Sequence, residues 1–144
     1  MKNLICVLVI IFYGLVACAQ SPPSKVSERF SILFPNVKNV KWEQEEENEW
    51  EVEFEKKGSK ISASFDNEGV WQETESELKH NCLPTFVKVK LTLSYWGYEM
   101  SEVEKIEKPD FWGYEITMLN KEKEIELSIT SDGKITAYAK KDKR

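Results

Sequence analysis

Glutamates are the first residues in this chain whose type and spacing suggest chemistry. Glu43, Glu45, Glu46 and Glu47 are followed by a strict alternation, Glu49, Glu51, Glu53 and Glu55. Crowded carboxylates build negative potential, which suits a cation or a basic protein surface. Alternate residues on a strand form a line and do not converge, so a calcium cage of six to eight oxygens is not expected. As plain structure, the series is a solvated sheet face balanced by Lys56, Lys57 and Lys60, where each exposed pair contributes little. Asp66-Asn67-Glu68-Gly69 and Ser131-Asp132-Gly133 are shorter than a calcium loop and are expected to be turns.

Tyr95-Trp96-Gly97-Tyr98 and Phe111-Trp112-Gly113-Tyr114 form a second group. Trp96, Phe111 and Trp112 are the candidates for a partner-binding patch, since exposed aromatics outside a core pattern mark such surfaces. The alternative is that they are core residues or half-buried lids over loops. His80 and Cys82 suggest a base and a nucleophile, but residues two apart do not face each other on a helix. No third orienting residue can be named, and one histidine makes a weak metal site. No glycine-rich phosphate loop is present. Catalytic residues, metal and cofactor are therefore all expected to be none.

Around these residues the chain has 144 positions, about one domain. Lys2, an apolar run from Leu4 to Val16, and the small residues Ala17, Cys18 and Ala19 have the order of an export signal, too short for a membrane span. Residues 1–19 are assigned to this signal peptide and 20–24 to a polar, proline-stiffened leader. The segment permits two endings: cleavage after Ala19, or a lipoprotein box in which Cys18 carries the lipid. Either gives a periplasmic or cell-envelope location, soluble or lipid-anchored. In that oxidising compartment Cys82 has no partner within the chain and is expected to be a buried, inert thiol. A net charge of −5 argues against nucleic acid or an anionic membrane as main partner, leaving the signal peptide or a lipid on Cys18 as the membrane contacts. With 31% charged and 12% aromatic residues the chain is not globally disordered.

The chain also repeats itself. Shifted by 64 residues, Trp50-Glu51-Val52-Glu53-Phe54 falls on Tyr114-Glu115-Ile116-Thr117-Met118. Ile61, Ala63 and Phe65 fall on Ile125, Leu127 and Ile129, and Gly69 falls on Gly133. In the same shift Trp96 and Trp112 meet Ile32 and Asn48, which are not aromatic. Each copy begins with helical spacing (Val26, Phe30, Leu33 and Phe34; then Val87, Leu91 and Tyr95) and continues with period-two strands. The expected fold is α+β. It is a tandem repeat of a helix plus a four-stranded antiparallel meander, over about 23–76 and 84–139, within one domain at 25–144. Together the copies make an eight-stranded antiparallel sheet with helices on one face. Trp50 should then be buried, and Glu51 should be replaceable at little cost.

Val40-Lys41-Trp42, Trp50-Glu51-Val52-Glu53-Phe54 and Phe65-Asp66-Asn67-Glu68-Gly69-Val70-Trp71 carry a resemblance, extended by Leu83-Pro84 and Asp132-Gly133-Lys134. The chain resembles the PepSY-like family with a β-lactamase-inhibitor-like fold, found among secreted proteins of Bacteroidetes-type bacteria. The resemblance implies an inhibitory or protein-binding task and covers nearly all of the chain after the signal. True β-lactamase inhibitors carry disulfides within their repeats and bind through an aromatic-rich sheet face. Here the open face is expected to show Glu49, Glu51, Glu53, Glu55, Lys60, Ser62, Ser64, Glu115, Thr117, Glu126 and Ser128, without aromatic anchors.

The sequence thus points to an exported, non-enzymatic module that binds a protein or peptide through loops or the sheet face. The alternative is a periplasmic protein that binds a small molecule or cation on its glutamate-rich face.

Overall fold

Proline starts both helices. Pro23, with φ −51°, precedes α1 (Ser24–Leu33), and Pro84, with φ −54°, precedes α2 (Thr85–Ser94). Its fixed φ is already set for the helix, and its missing N–H removes a donor that the first turn could not pair. A computed structural model describes the backbone of residues 21–142 and the side chains as far as Thr136. The expected signal peptide at 1–19, with Cys18, lies outside the described residues. Among those residues no helix is long and apolar enough to cross a membrane.

Each helix leads into a meander. After α1 come β1 (Lys38–Glu46), β2 (Glu49–Lys56), β3 (Ser59–Asp66) and β4 (Trp71–Glu77). A single 3-10 turn at His80–Cys82 then leads to α2, β5 (Glu99–Lys108), β6 (Phe111–Leu119), β7 (Lys123–Thr130) and β8 (Ile135–Asp142). The eight strands form one antiparallel sheet in sequence order, and the β4–β5 pairing joins the halves.

Each helix covers its own half. Val26 and Phe30 pack on Trp50, Val52, Phe54, Ala63 and Phe65. Val87 and Leu91 pack on Tyr114, Ile116, Met118, Ile125, Leu127 and Ile129. The first core is aromatic: the Phe30 ring lies 5.2 Å, edge-on, from both Trp42 and Phe54. The second is mainly aliphatic. Full burial of one such side chain contributes about 1.5–3 kcal/mol, so the alternation that hides these faces determines the fold.

The repeat is more regular than one shift suggests. The sheets superpose at 64 residues, Trp50 on Tyr114, but the helices superpose at 61, Val26 on Val87 and Phe30 on Leu91. The difference lies in the second hairpin. Gln44 pairs with Trp50 across β1–β2, whereas the corresponding Lys105 pairs with Tyr114 across a longer β5–β6 hairpin. Phe111 and Trp112 sit in that extension. Trp96 therefore corresponds to Pro35, just past the helix end, and not to Ile32.

Both expected turns are turns. The Asp66 carboxylate accepts the backbone N–H groups of Glu68 and Val70, each at 2.9 Å, so its oxygen is used inside the turn. Gly69 and Gly133 both have positive φ and press on the first turn of their own helix. A Cβ on Gly69 would stand 2.7 Å from the Lys25 carbonyl oxygen, and one on Gly133 would stand 2.8 Å from Cε2 of Phe86.

Candidate functional site

Because successive strand residues point to opposite faces, the partners of the core residues all fall on the uncovered side. On β2 these are Glu49, Glu51, Glu53 and Glu55, opposite Asp66, Ser64, Ser62 and Lys60 of β3. Ser62 and Ser64 in turn face Glu75 and Glu73 of β4. Glu77 faces Glu104, and Glu104 faces Glu115. The acidic series is therefore not confined to one strand: it crosses the sheet from β2 to β6 through the small serines of β3.

The expected balance by Lys56, Lys57 and Lys60 is corrected by this register. Lys60 opposes Glu55, while Lys57 lies in the β2–β3 turn with φ +54°, and Lys56 leans towards the Phe34 ring at 5.9 Å. Lys41 opposes Glu53, and Lys108 forms a 2.7 Å ion pair with Glu73. Among the described residues Glu51, Glu75, Glu104 and Glu115 form no such ion pair.

The face is hollow rather than flat. A cavity of about 670 Å³ spans β1 to β5 and is lined by Lys41, Glu51, Glu53, Glu75 and Glu104 among others. Between the serines and Glu115 lies a smaller hollow of about 50 Å³. Ile106, next to Glu104 and opposite Gly113, is only 2% exposed although no helix covers it. The glutamates around it are correspondingly desolvated, which corrects the expectation of a fully solvated face.

Their acidities follow from this setting. Glu75 is pushed up to about 8, first by burial and then by the charges of Glu104, Glu73, Glu115 and Glu51. Glu51 is pushed up to about 7, first by burial and then by a hydrogen bond with Glu45. Glu49, Glu104 and Glu115 also rise, burial again being the largest cause. Desolvation and like charge both penalise the ionised form, so Glu75 and Glu51 hold protons near neutrality and the row gains from any positive group that enters.

The three aromatic candidates do not form one patch. Trp96 is 85% exposed beyond the end of α2, beside Tyr98, Met100 and Met118. Trp112 is 47% exposed at the other end of β6, about 20 Å along the strand from Met118 at 3.3 Å per residue. It shares the helix-covered side with Tyr114, ring centroids 5.9 Å apart, and Lys105 Nζ lies 5.7 Å from its centre. Phe111 points the other way. Its Cζ would be 2.8 Å from a Cβ on Gly113, so the ring folds over that glycine on the acidic face. The face therefore does carry an aromatic at its β6 end, contrary to expectation. Phe111, Trp112, Pro109 and Trp71 surround a further hollow of about 600 Å³ at this tip.

Cys82 is exposed, not buried; the core position of that connector goes to its neighbour Leu83. Its Sγ lies 3.4 Å from Oδ1 of Asn81, and His80 lines the rim of the large cavity. Among the described residues no hydrogen bond joins His80 to Cys82, and no three His, Cys, Asp or Glu side chains converge as a metal shell. Sequence reasoning missed Glu73, Glu75 and Glu104, because only the pairing of β4 with β5 places them beside Glu51 and Glu115.

Residues 48–137 match the family described as "Putative beta-lactamase-inhibitor-like, PepSY-like". The chain belongs to this family. Solved structures share the PepSY-like fold. A DUF2874 family protein from Bacteroides ovatus has 20% identity and a TM-score of 0.78, over 84% of this chain and 89% of that one. A BLIP-like protein from Bacteroides fragilis has 24% identity and a TM-score of 0.74, over 85% and 87%. A Bacteroides eggerthii protein titled "putative periplasmic" has 13% identity and a TM-score of 0.78, over 84% and 90%. No curated protein matches the sequence. At these identities the likeness shows the fold alone. The expected α+β architecture, with eight antiparallel strands and two helices, is the architecture of this PepSY-like chain.

Proposed function

We propose that this PepSY-like protein is an exported, non-enzymatic binding module of the periplasm or cell envelope, whose hollow sheet face takes a basic segment of a protein or peptide. The carrying observation is the row Glu51, Glu75, Glu104 and Glu115, desolvated and mutually repelling across adjacent strands. A lysine or arginine entering the row would relieve repulsion that Lys108 offsets only at the β4–β6 edge. Phe111 at the β6 end offers an apolar contact beside the charges, the arrangement in which interface energy concentrates.

A protein segment fits this face better than a compact cation. Calcium needs six to eight oxygens within about 2.6 Å, and among the described residues no three acidic side chains come together as such a shell. A chain with several spaced positive groups matches a row; one ion does not. The test is capture from envelope extract on immobilised protein, comparing wild type with E75Q/E104Q and with F111A. A partner retained by wild type and lost by both variants supports the reading. Undiminished retention by E75Q/E104Q overturns it.

A further inference from the structure

The outer face of α2 is unlike that of α1. At 100° per residue, Phe86, Val89 and Leu93 fall on one stripe opposite the buried Val87 and Leu91, and the exposed Trp96 follows just past the end of the helix. They are 52%, 52%, 75% and 85% exposed. With the 61-residue offset of the helices, the matching positions in the first half are Lys25, Glu28, Ile32 and Pro35. The same structural positions thus carry two charged groups, an isoleucine and a proline in the first half and four apolar residues in the second. The fold does not require the stripe, because α1 covers its half without one.

The surroundings of the stripe are basic. Lys90 and Lys88 lie on its two flanks, and α2 contains no acidic residue. Lys90 Nζ donates to the Gly133 carbonyl oxygen at 2.6 Å, in the turn where Gly133 meets the Phe86 ring and Lys134 follows in sequence. That turn holds Asp132 as well, whose carboxylate accepts from the Thr130 hydroxyl. The glutamate row is on the other side of the sheet, and salt screens its field over about 8–10 Å. The net charge of −5 therefore conceals a division between an acidic open face and a basic, apolar helix.

From this we propose that α2 lies on an anionic lipid surface, Phe86, Val89, Leu93 and Trp96 entering the headgroup boundary with Lys88, Lys90 and Lys134 on the phosphates. An apolar stripe between lysines, ending in tryptophan, is the chemistry of interfacial helices. A second copy of the chain fits less well. A stable symmetric pair buries about 800 Å² per partner, and a ten-residue helix is about 15 Å long, while two α2 helices would bring their lysines together. The inference is independent of the reading of the sheet face, since no residue is shared.

The core residues begin at Val26, so the chain from Gln20 contains the whole fold and excludes the apolar residues 4–16. We would sediment this chain with vesicles of phosphatidylglycerol mixed with phosphatidylcholine, and with phosphatidylcholine alone. Binding at least tenfold stronger to the anionic vesicles is expected. L93S and W96S, each checked for an unchanged thermal transition, should weaken it at least tenfold, and I32S on α1 should leave it unchanged. Equal binding to both vesicles, no binding, or binding indifferent to L93S and W96S would overturn the proposal. So would a concentration-dependent dimer in sedimentation velocity that L93S abolishes, since the stripe would then belong to a second copy.

Discussion

The indole of Trp50 donates its Nε1–H to Oδ1 of Asn67 at 2.8 Å, and the Asn67 amide donates to the Glu47 carbonyl oxygen at 3.2 Å. One asparagine in the β3–β4 turn thus satisfies a buried tryptophan and ties down the β1–β2 hairpin. N67A leaves the indole N–H without its acceptor and should cost about 1–3 kcal/mol, while W50A should cost about 3–5 kcal/mol through cavity formation. Urea unfolding measures both. An N67A protein as stable as wild type would mean that water replaces the bond.

Glu75 and Glu51 give stability a pH dependence of known sign. Their folded pKa values, about 8 and about 7, lie above the ordinary carboxylate value of 4.5. The folded state holds these protons more tightly, so the benefit is full below about pH 4.5 and is lost as pH rises towards 7 and 8. Thermal midpoints should fall between pH 5 and pH 9. E75Q should remove part of that fall and exceed wild type at pH 9 by about 1.4 kcal/mol, one pKa unit, a figure already discounted for partial exposure. E51A should likewise be stabilising at high pH rather than merely neutral.

Gly113 has backbone rather than conformational reasons to be glycine. A Cβ there would stand 2.2 Å from the Ile129 carbonyl oxygen. G113A should therefore force β6 away from β7 and cost more than about 2 kcal/mol, at the high end for a single methyl group. Chemical denaturation of G113A against wild type checks this. A loss under about 0.5 kcal/mol would show that the two strands separate without difficulty.

Exposure of Cys82 has a direct chemical consequence. In the folded chain from Gln20, which lacks Cys6 and Cys18, a thiol reagent should modify Cys82 without denaturant and at a rate close to that of the unfolded protein. Protection by a factor of a hundred or more would place the thiol back in the interior.

The strands and the duplication were legible because period-two alternation and the 64-residue shift are local properties of Trp50 to Phe65 and Tyr114 to Ile129. The outward stripe of α2 was not read from the sequence, because the helical spacing of Val87 and Leu91 marks only the inward face. Other features depend on pairing. Nothing near Glu75 in sequence says that it neighbours Glu104, and only the register across the β4–β5 junction does so. Likewise Phe111 and Trp112, adjacent in sequence, lie on opposite faces because the hairpin starts at Phe111 and strand alternation then separates them. Cys82 was misjudged because a short connector has one inward position, and Leu83 occupies it.

The hollow carboxylate row is expected to receive positive charge. A lysine-rich peptide titrated into the protein at pH 7, by calorimetry in buffers of different ionisation enthalpy, tests it most directly. Entry of positive charge favours ionised carboxylates, so protons held by Glu75 and Glu51 should be released, and the observed heat should vary with the buffer. E51Q/E75Q should bind more weakly and lose that dependence. Binding whose heat is the same in every buffer, or unchanged affinity in E51Q/E75Q, would contradict the account.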